Sequence, residues 1–144
     1  MFSDKLVQRI SGKAVIEAEG AILALHPTNI DANRKWHMPG GIRDDINESV
    51  LGTAVREVLE ETGINLSGVP TDVFKISEWE AVDKEEHVKI LAVFFHFVLP
   101  KRPPIVLSDE HDKSAWLDLD NYRSFNANKE VYEIIERLCS SSPK

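Results

Sequence analysis

The sequence is poor in most of what would mark a secreted, membrane-spanning or polyanion-binding chain. It holds one cysteine, Cys139. A lone thiol closes no internal disulfide, so the expected compartment is a reducing cytoplasm. The longest unbroken apolar run, residues 90–95, falls far below the roughly 20 residues that a membrane-spanning helix needs. The first residues, Met1 to Arg9, have neither the apolar stretch nor the small-residue cleavage site of a secretory leader, and no membrane partner is expected. Bases are scarce as well. Against 24 acids stand 17 Lys and Arg, a net charge of −7, and such a surface repels polyanions and disfavours non-specific binding to nucleic acid.

What is present is ordinary globular material. With 42% hydrophobic and 28% charged residues over a length of 144, residues 1–144 read as a single domain with a real core. Lys13–Ile16 and Ala21–Leu25 are apolar runs joined by Glu17-Ala18-Glu19-Gly20, which predicts a hairpin. His26–Arg34 is polar and turn-rich, and the loop is expected to continue through Trp36-His37-Met38-Pro39-Gly40-Gly41. From Glu48 to Thr62, Val50, Leu51, Ala54, Val55, Val58 and Leu59 recur with the period of an amphipathic helix, stopped by Gly63. Val73–Trp79 and Val88–Leu99 read as strands, 101–112 as a loop, Ala115–Leu117 as a short strand and Asn128–Leu138 as a last helix. This order predicts the α+β class, an α/β/α sandwich around a mixed β-sheet.

The acids are unevenly spread. On a helix, Glu57, Glu60 and Glu61 stand at i, i+3 and i+4, which puts three carboxylates on one face within about 6 Å of each other. They repel, and a hard divalent cation such as Mg²⁺ or Mn²⁺, which prefers carboxylate oxygen, would cancel the repulsion. Arg56 offers a planar fork for Glu48 or Glu57, and Gly40-Gly41 leaves room for backbone to approach a ligand. The blander reading is a solvated acidic face with a surface ion pair, the default for charge runs. A calcium loop at 44–48 fails, because Asp-Asp-Ile-Asn-Glu lacks the alternating ligands and the central glycine.

Taken together, Gly41, Glu48 and Arg56-Glu57-Val58-Leu59-Glu60-Glu61-Thr62-Gly63-Ile64 resemble the Nudix box, G-x5-E-x7-R-E-U-x-E-E-x-G-U with U apolar. Every fixed position from Glu48 to Ile64 fits. One departure is an extra residue, since Ile42 to Asn47 separate Gly41 from Glu48 where the pattern has five residues. Asn47 stands where many family members have glycine, and asparagine tolerates left-handed backbone. The Trp36 to Gly41 lead-in also resembles the family, as does Asp109-Glu110-His111 ahead of Trp116-Leu117.

The resemblance implies hydrolysis of a pyrophosphate bond in a nucleoside triphosphate, or in a nucleoside diphosphate linked to another group, with Mg²⁺ or Mn²⁺ on the phosphates. Glu60 and Glu61 are implied as metal ligands, Gly41 through its carbonyl, Glu57 as ligand or general base, and Glu110 as a further ligand. Arg56 and Glu48 would orient them. Trp36 and Trp79 offer faces for a nucleobase, and Arg34 and Lys35 charges for phosphate. The histidines His26, His37, His87, His96 and His111 show no ligand spacing. Substrate-group signatures of coenzyme A and NADH pyrophosphatases are not visible, nor is the proline of ADP-ribose enzymes near Trp79 or the tyrosine of diadenosine polyphosphate hydrolases. A compact nucleoside triphosphatase leads. ADP-ribose, nucleotide-sugar or dinucleoside polyphosphate hydrolysis and a non-catalytic nucleotide-binding module are the alternatives. The expected partner is a small nucleotide, with a homodimer as the assembly considered.

Overall fold

Apolar residues alternate along the first two strands so that both faces need cover. In the computed structural model, which describes residues 6–29 and 34–140, β1 (Gln8–Ala18) turns Ala14 and Ile16 to one face and Val15 to the other. In β2 (Ala21–Pro27), Leu23 and Leu25 oppose Ile22 and Ala24 in the same way. Helix α1 (Val50–Thr62) covers one face with Ala54 and Val58, where Phe95 and Phe97 of β5 (Glu86–Leu99) join it. Helix α2 (Lys129–Ser140) covers the other with Val131, Ile134 and Ile135, against Phe94.

The sheet runs in the order β4 (Thr71–Asp83), β5, β1, β2, β6 (His111–Leu117), while β3 (Gly40–Ile42) pairs with β1 off this path. Strands β1 and β5 are parallel over a register from Gln8↔Lys89 to Ala18↔Leu99, and the other pairs are antiparallel. The expected α/β/α sandwich around a mixed sheet is therefore the observed one. Among the described residues, no helix is long and apolar enough to cross a membrane.

Several boundaries differ from expectation. β1 begins at Gln8 and not at Lys13, and β6 begins at His111, inside the expected loop 101–112, and not at Ala115. Three further differences have a clear local cause. The first hairpin turns on Glu19-Gly20 alone, both with positive φ, and Glu17 and Ala18 remain paired in β1. Strand β4 runs past Trp79 to Asp83, because Lys84 and Glu85, at φ 52° and 66°, close a tight turn that extends the ladder. β4 is an edge strand, which tolerates the polar residues that hid its length. Gly40–Ile42 is strand and not loop, held by pairing with Ser11–Lys13, which a glycine pair cannot announce by side-chain pattern. The middle of the His26–Arg34 loop, 30–33, lies outside the described residues.

Helix α1 is set down directly on β1. A Cβ on Gly12 would lie 2.4 Å from the Val50 carbonyl oxygen and 2.9 Å from the Ala54 nitrogen, so only glycine lets the helix approach this closely. Ser49 caps the start, its Oγ accepting from Gly52 N–H at 2.9 Å, and Gly63 ends it in the left-handed region.

Candidate active site

Because Ser49 is the N-cap, Glu48 sits just ahead of α1 and not on it. Its carboxylate takes two hydrogen bonds from the Arg56 fork, Nε to Oε2 at 2.8 Å and Nη2 to Oε1 at 3.1 Å, and a third from Thr53 Oγ1 at 2.7 Å. The Arg56 bonds, with Thr53 helping, hold the Glu48 carboxyl below its ordinary range. The remaining Arg56 nitrogen, Nη1, reaches Glu57 Oε1 at 3.0 Å and Glu60 Oε1 at 3.2 Å. One guanidinium thus spans three carboxylates.

Glu61 points the other way, into the fold. It is 4% exposed; Oε1 accepts the Gly40 N–H at 2.9 Å and Oε2 lies 3.9 Å from His111 Nε2. Burial pushes its pKa up to about 7, with Lys13 and the Gly40 bond opposing and Glu57 and Glu110 adding to the rise. Glu57 lies over the missing side chain of Gly41, where a Cβ would come within 2.6 Å of its carboxyl carbon. Its pKa too is raised by burial, against the pull of Arg56 and with the push of Glu60 and Glu110. The Gly41 carbonyl accepts from Ser11 Oγ at 3.1 Å, and Gly41 pairs with Gly12 in the ladder between β3 and β1. Glu110 is exposed in the turn before β6, near enough to act on both glutamates.

The donor set suits a hard divalent cation: four carboxylates, two of them made reluctant to ionise by burial, and a carbonyl beside a cradle that a Cβ would fill. Among the described residues no three side chains of His, Cys, Asp or Glu are gathered as a closed metal cage. Arg56 holds Glu57 and Glu60 instead.

Beside the acids opens a cavity of about 420 Å³, lined by Lys13, Met38, Trp79, Phe94, Asn128 and Glu130 among others. Lys13 connects the two. Its stem passes Gly40, where a Cβ would stand 2.9 Å from Lys13 Cδ, and its ammonium is felt by Glu61, Glu130 and Glu57, while burial lowers its pKa. Sequence reasoning missed Lys13, since a lysine inside an apolar run gives no sign of where it points.

It missed the histidine pair as well. His37 Nδ1 donates to the Met38 carbonyl at 2.9 Å, and the Nε2 atoms of His37 and His111 lie 3.0 Å apart. His37 Nε2 is then the acceptor and His111 Nε2 the donor. Burial pushes the His37 pKa down to about 3, with Lys13 and His111 adding, so the ring is neutral. The residues are far apart in sequence and no spacing links them.

Of the four residues expected to meet substrate, Trp79 lines the cavity. The other three do not. Trp36 is spent on packing, edge-on to Phe125 at 5.0 Å and tilted against His26 at 5.2 Å. Arg34 is held by Asp112 at 3.0 Å, and Lys35 is exposed. In the lengthened loop, residues 44–47 are exposed, and Asn47 does not adopt the left-handed backbone expected of it. Its N–H donates instead to Asp45 Oδ1 at 2.8 Å, a local turn that asks nothing special of φ.

A mixed sheet between two helices, with the acid-bearing helix facing a Gly-Gly strand, places the molecule in the Nudix class of α+β folds. The family model described as the NUDIX domain matches residues 8–138, and the chain belongs to that family. It is 32% identical over 90 residues to Phosphatase NudJ of Escherichia coli strain K12, a match that covers 62% of this chain and 56% of the relative. The chain thus spans little more than half the length of such curated relatives. Among solved structures, a MutT protein from Methanosarcina mazei Go1 superposes with a TM-score of 0.76 at 26% identity, covering 99% of this chain and 100% of the other. A bifunctional NMN adenylyltransferase/ADP ribose pyrophosphatase from Francisella tularensis, complexed with AMP and Mn ion, gives 0.73 at 19% identity over 96% of this chain and 43% of that one.

Proposed function

We propose that this chain is a divalent-metal-dependent hydrolase that cleaves a phosphoanhydride bond in a nucleotide derivative, a nucleoside triphosphate being the leading substrate class. The observation that carries the reading is the junction at Lys13, where a crowded carboxylate cluster opens into an aromatic-lined cavity. Mg²⁺ or Mn²⁺ held by Glu57, Glu60 and Glu61, with the Gly41 carbonyl and Glu110, would neutralise phosphate charge and make a bound water more acidic. The AMP and Mn ion carried by the Francisella neighbour fit that choice of ligands.

The chain's own residues do the rest. Glu48 grips the Arg56 fork from one side, and Arg56 in turn fixes the orientation of Glu57 and Glu60. Glu57, half-buried with a raised pKa, is placed to take a proton from the attacking water. The Gly40 N–H bond fixes the orientation of the buried Glu61 carboxylate beside β3. Lys13 sets a positive charge between the acids and the cavity, where Trp79 and Phe94 offer flat faces to a base. Residues 1–144 act as one hydrolase domain in this reading.

The test is phosphate or pyrophosphate release from a panel of nucleoside triphosphates, ADP-ribose and dinucleoside polyphosphates, with Mg²⁺, with Mn²⁺ and with EDTA. Metal-dependent cleavage that Glu60→Gln and Glu61→Gln each reduce by orders of magnitude is expected. Nucleotide binding with no cleavage of any member in either metal would make the chain a binding module instead.

A further inference from the structure

Glu110 stands in the exposed turn ahead of β6, and among the described residues no hydrogen bond holds its carboxylate. Its direction is therefore set by its backbone, and that backbone is fixed from several sides. Ser108 N–H donates to the Glu61 carbonyl at 3.3 Å, which ties the turn to the end of α1. Ser108 Oγ accepts the Glu110 N–H at 3.4 Å. Thr28, the residue after β2, holds two carbonyls of the turn, its N–H donating to Glu110 O at 3.0 Å and its Oγ1 to Asp109 O at 2.9 Å.

The register that brings Thr28 there depends on Asp112. The β2–β6 ladder pairs His26 with Lys113, and unbroken it would next pair Pro27 with Asp112; Pro27 pairs with His111 instead. Asp112 is thus the extra residue of a β-bulge, which bends its strand and re-aims the side chains beyond it. Its carboxylate is held at both oxygens, His26 Nδ1 donating to Oδ1 at 2.6 Å and Arg34 Nη2 to Oδ2 at 3.0 Å. Beyond this step His111 is buried with its Nε2 3.9 Å from Glu61, Thr28 lies against Glu110, and Glu110 is near enough to act on both Glu57 and Glu61.

We propose that Asp112 and Thr28 are positioning residues for the metal site: the bulge held at Asp112 sets the register, Thr28 clamps the Glu110 backbone, and together they keep the Glu110 carboxylate turned to Glu57 and Glu61. The inference rests on the proposed metal ligands and deepens that reading. Both residues act through Glu110. A glutamate on a free turn would have to order its backbone each time it met a cation, whereas a turn already fixed has lost that entropy on folding. Groups that hold a ligand from behind are commonly worth about ten- to a hundredfold in metal affinity.

The experiment reads metal binding without turnover. Mn²⁺ is titrated into the full chain with no nucleotide present, and the free ion is followed by its electron paramagnetic resonance signal. Glu110→Gln should weaken binding about tenfold, and Asp112→Ala and Thr28→Val should each weaken it about three- to tenfold. Thr28→Ser, which keeps the hydroxyl, should bind as the wild type does. In a Glu110→Gln background the changes at Asp112 and Thr28 should bring no further loss, since the residue they position is gone. A merely structural role predicts the same loss in both backgrounds, and that result overturns the proposal. Wild-type affinity in Thr28→Val overturns it too; this variant keeps the backbone N–H and nearly the same volume, and it carries the test alone should Asp112→Ala not fold. Unchanged binding in Glu110→Gln also overturns it, while the hydrolase reading stands on Glu57, Glu60 and Glu61. If the non-additive losses appear and no nucleotide is cleaved, the hydrolase reading fails and the positioning role stands.

Discussion

The two helices that cover the sheet are made of similar material and treat charge in opposite ways. On α2 the buried stripe is apolar, Val131, Ile134 and Ile135, and most charges lie outside it in exposed pairs such as Lys129 with Glu133 at 3.7 Å. On α1 the buried face is interrupted. Thr53, Glu61 and Thr62 are buried beside Ala54 and Val58, Glu57 is half-buried, and Arg56 is shared among three acids. Nothing about covering a sheet calls for this. A buried glutamate lowers stability unless something answers it, so a helix that keeps one is being shaped by chemistry, whereas α2 beyond its first turn is shaped by packing.

The contrast is broken most directly by making the same change on each helix. Glu61→Gln should cut metal-dependent turnover by about a thousandfold or more, while Glu133→Gln on α2 should change it by less than about twofold. Stability should move the other way. The folded pKa of Glu61, about 7, lies above the ordinary 4.5, so the folded state holds the proton longer and stability falls as pH rises from 4.5 to 7. Above pH 7 that cost is fully present. Urea unfolding at pH 8 in EDTA should find Glu61→Gln at least as stable as the wild type, and a clear loss of stability would put α1 and α2 under the same rule.

Arg56→Lys keeps the charge and removes the fork. Turnover should fall about a hundredfold with the fold retained by circular dichroism, since an ammonium cannot grip Glu48 at two points and still reach Glu57 and Glu60. Near-native turnover would reduce Arg56 to a surface ion pair of the α2 kind.

A smaller effect comes from the His37–His111 pair. The folded pKa of His37, about 3, lies below the ordinary 6.5, so the unfolded chain takes up this proton first. Stability is full above pH 6.5 and is lost as pH falls towards 3, by at most about 1.4 kcal/mol per pH unit for one proton. In urea unfolding across pH 4 to 7, His37→Gln should flatten this limb. An unchanged slope would mean that the ring is not held neutral.

The smallest effect is expected where neither helix is touched. Residues 44–47 are exposed and Ile46 is 89% exposed, so deleting Asp44 to shorten the loop should alter turnover by less than about threefold and leave thermal unfolding nearly unchanged. A large loss with the fold intact would show that the extra residue helps to place Gly41.

These regions differ too in how far the sequence discloses them. The α1 acids could be read in advance because they lie within one turn of a helix, where spacing fixes direction. The other strands could be located in part from apolar runs and alternation, their order in the sheet could not, and β3 not at all, since two glycines carry no pattern and only their pairing makes them strand. The cavity was almost invisible. It draws Lys13 from β1, Trp79 from β4, Phe94 from β5 and Glu130 from α2, and no local rule brings together residues set side by side only when the sheet closes. Trp36 misled for the same reason, as an aromatic residue shows in sequence that it will be buried and not against what.

The parallel pairing of β1 with β5 also sets an order of events during folding. Gln8 meets Lys89 and Ala18 meets Leu99, contacts that bridge some eighty residues of chain and carry a large loop-closure cost before they return anything. Helix α1 lies between these partners in sequence and rests on β1 at Gly12. On a ribosome, which releases the amino-terminal end first, the acidic helix therefore emerges before the strand that completes its platform has been made. A nascent chain stopped short of residue 99 therefore carries Gly41 and Glu48 to Ile64 but neither the full length of β5 nor Glu110, and the acids meet their complete surroundings only after the later strands are made.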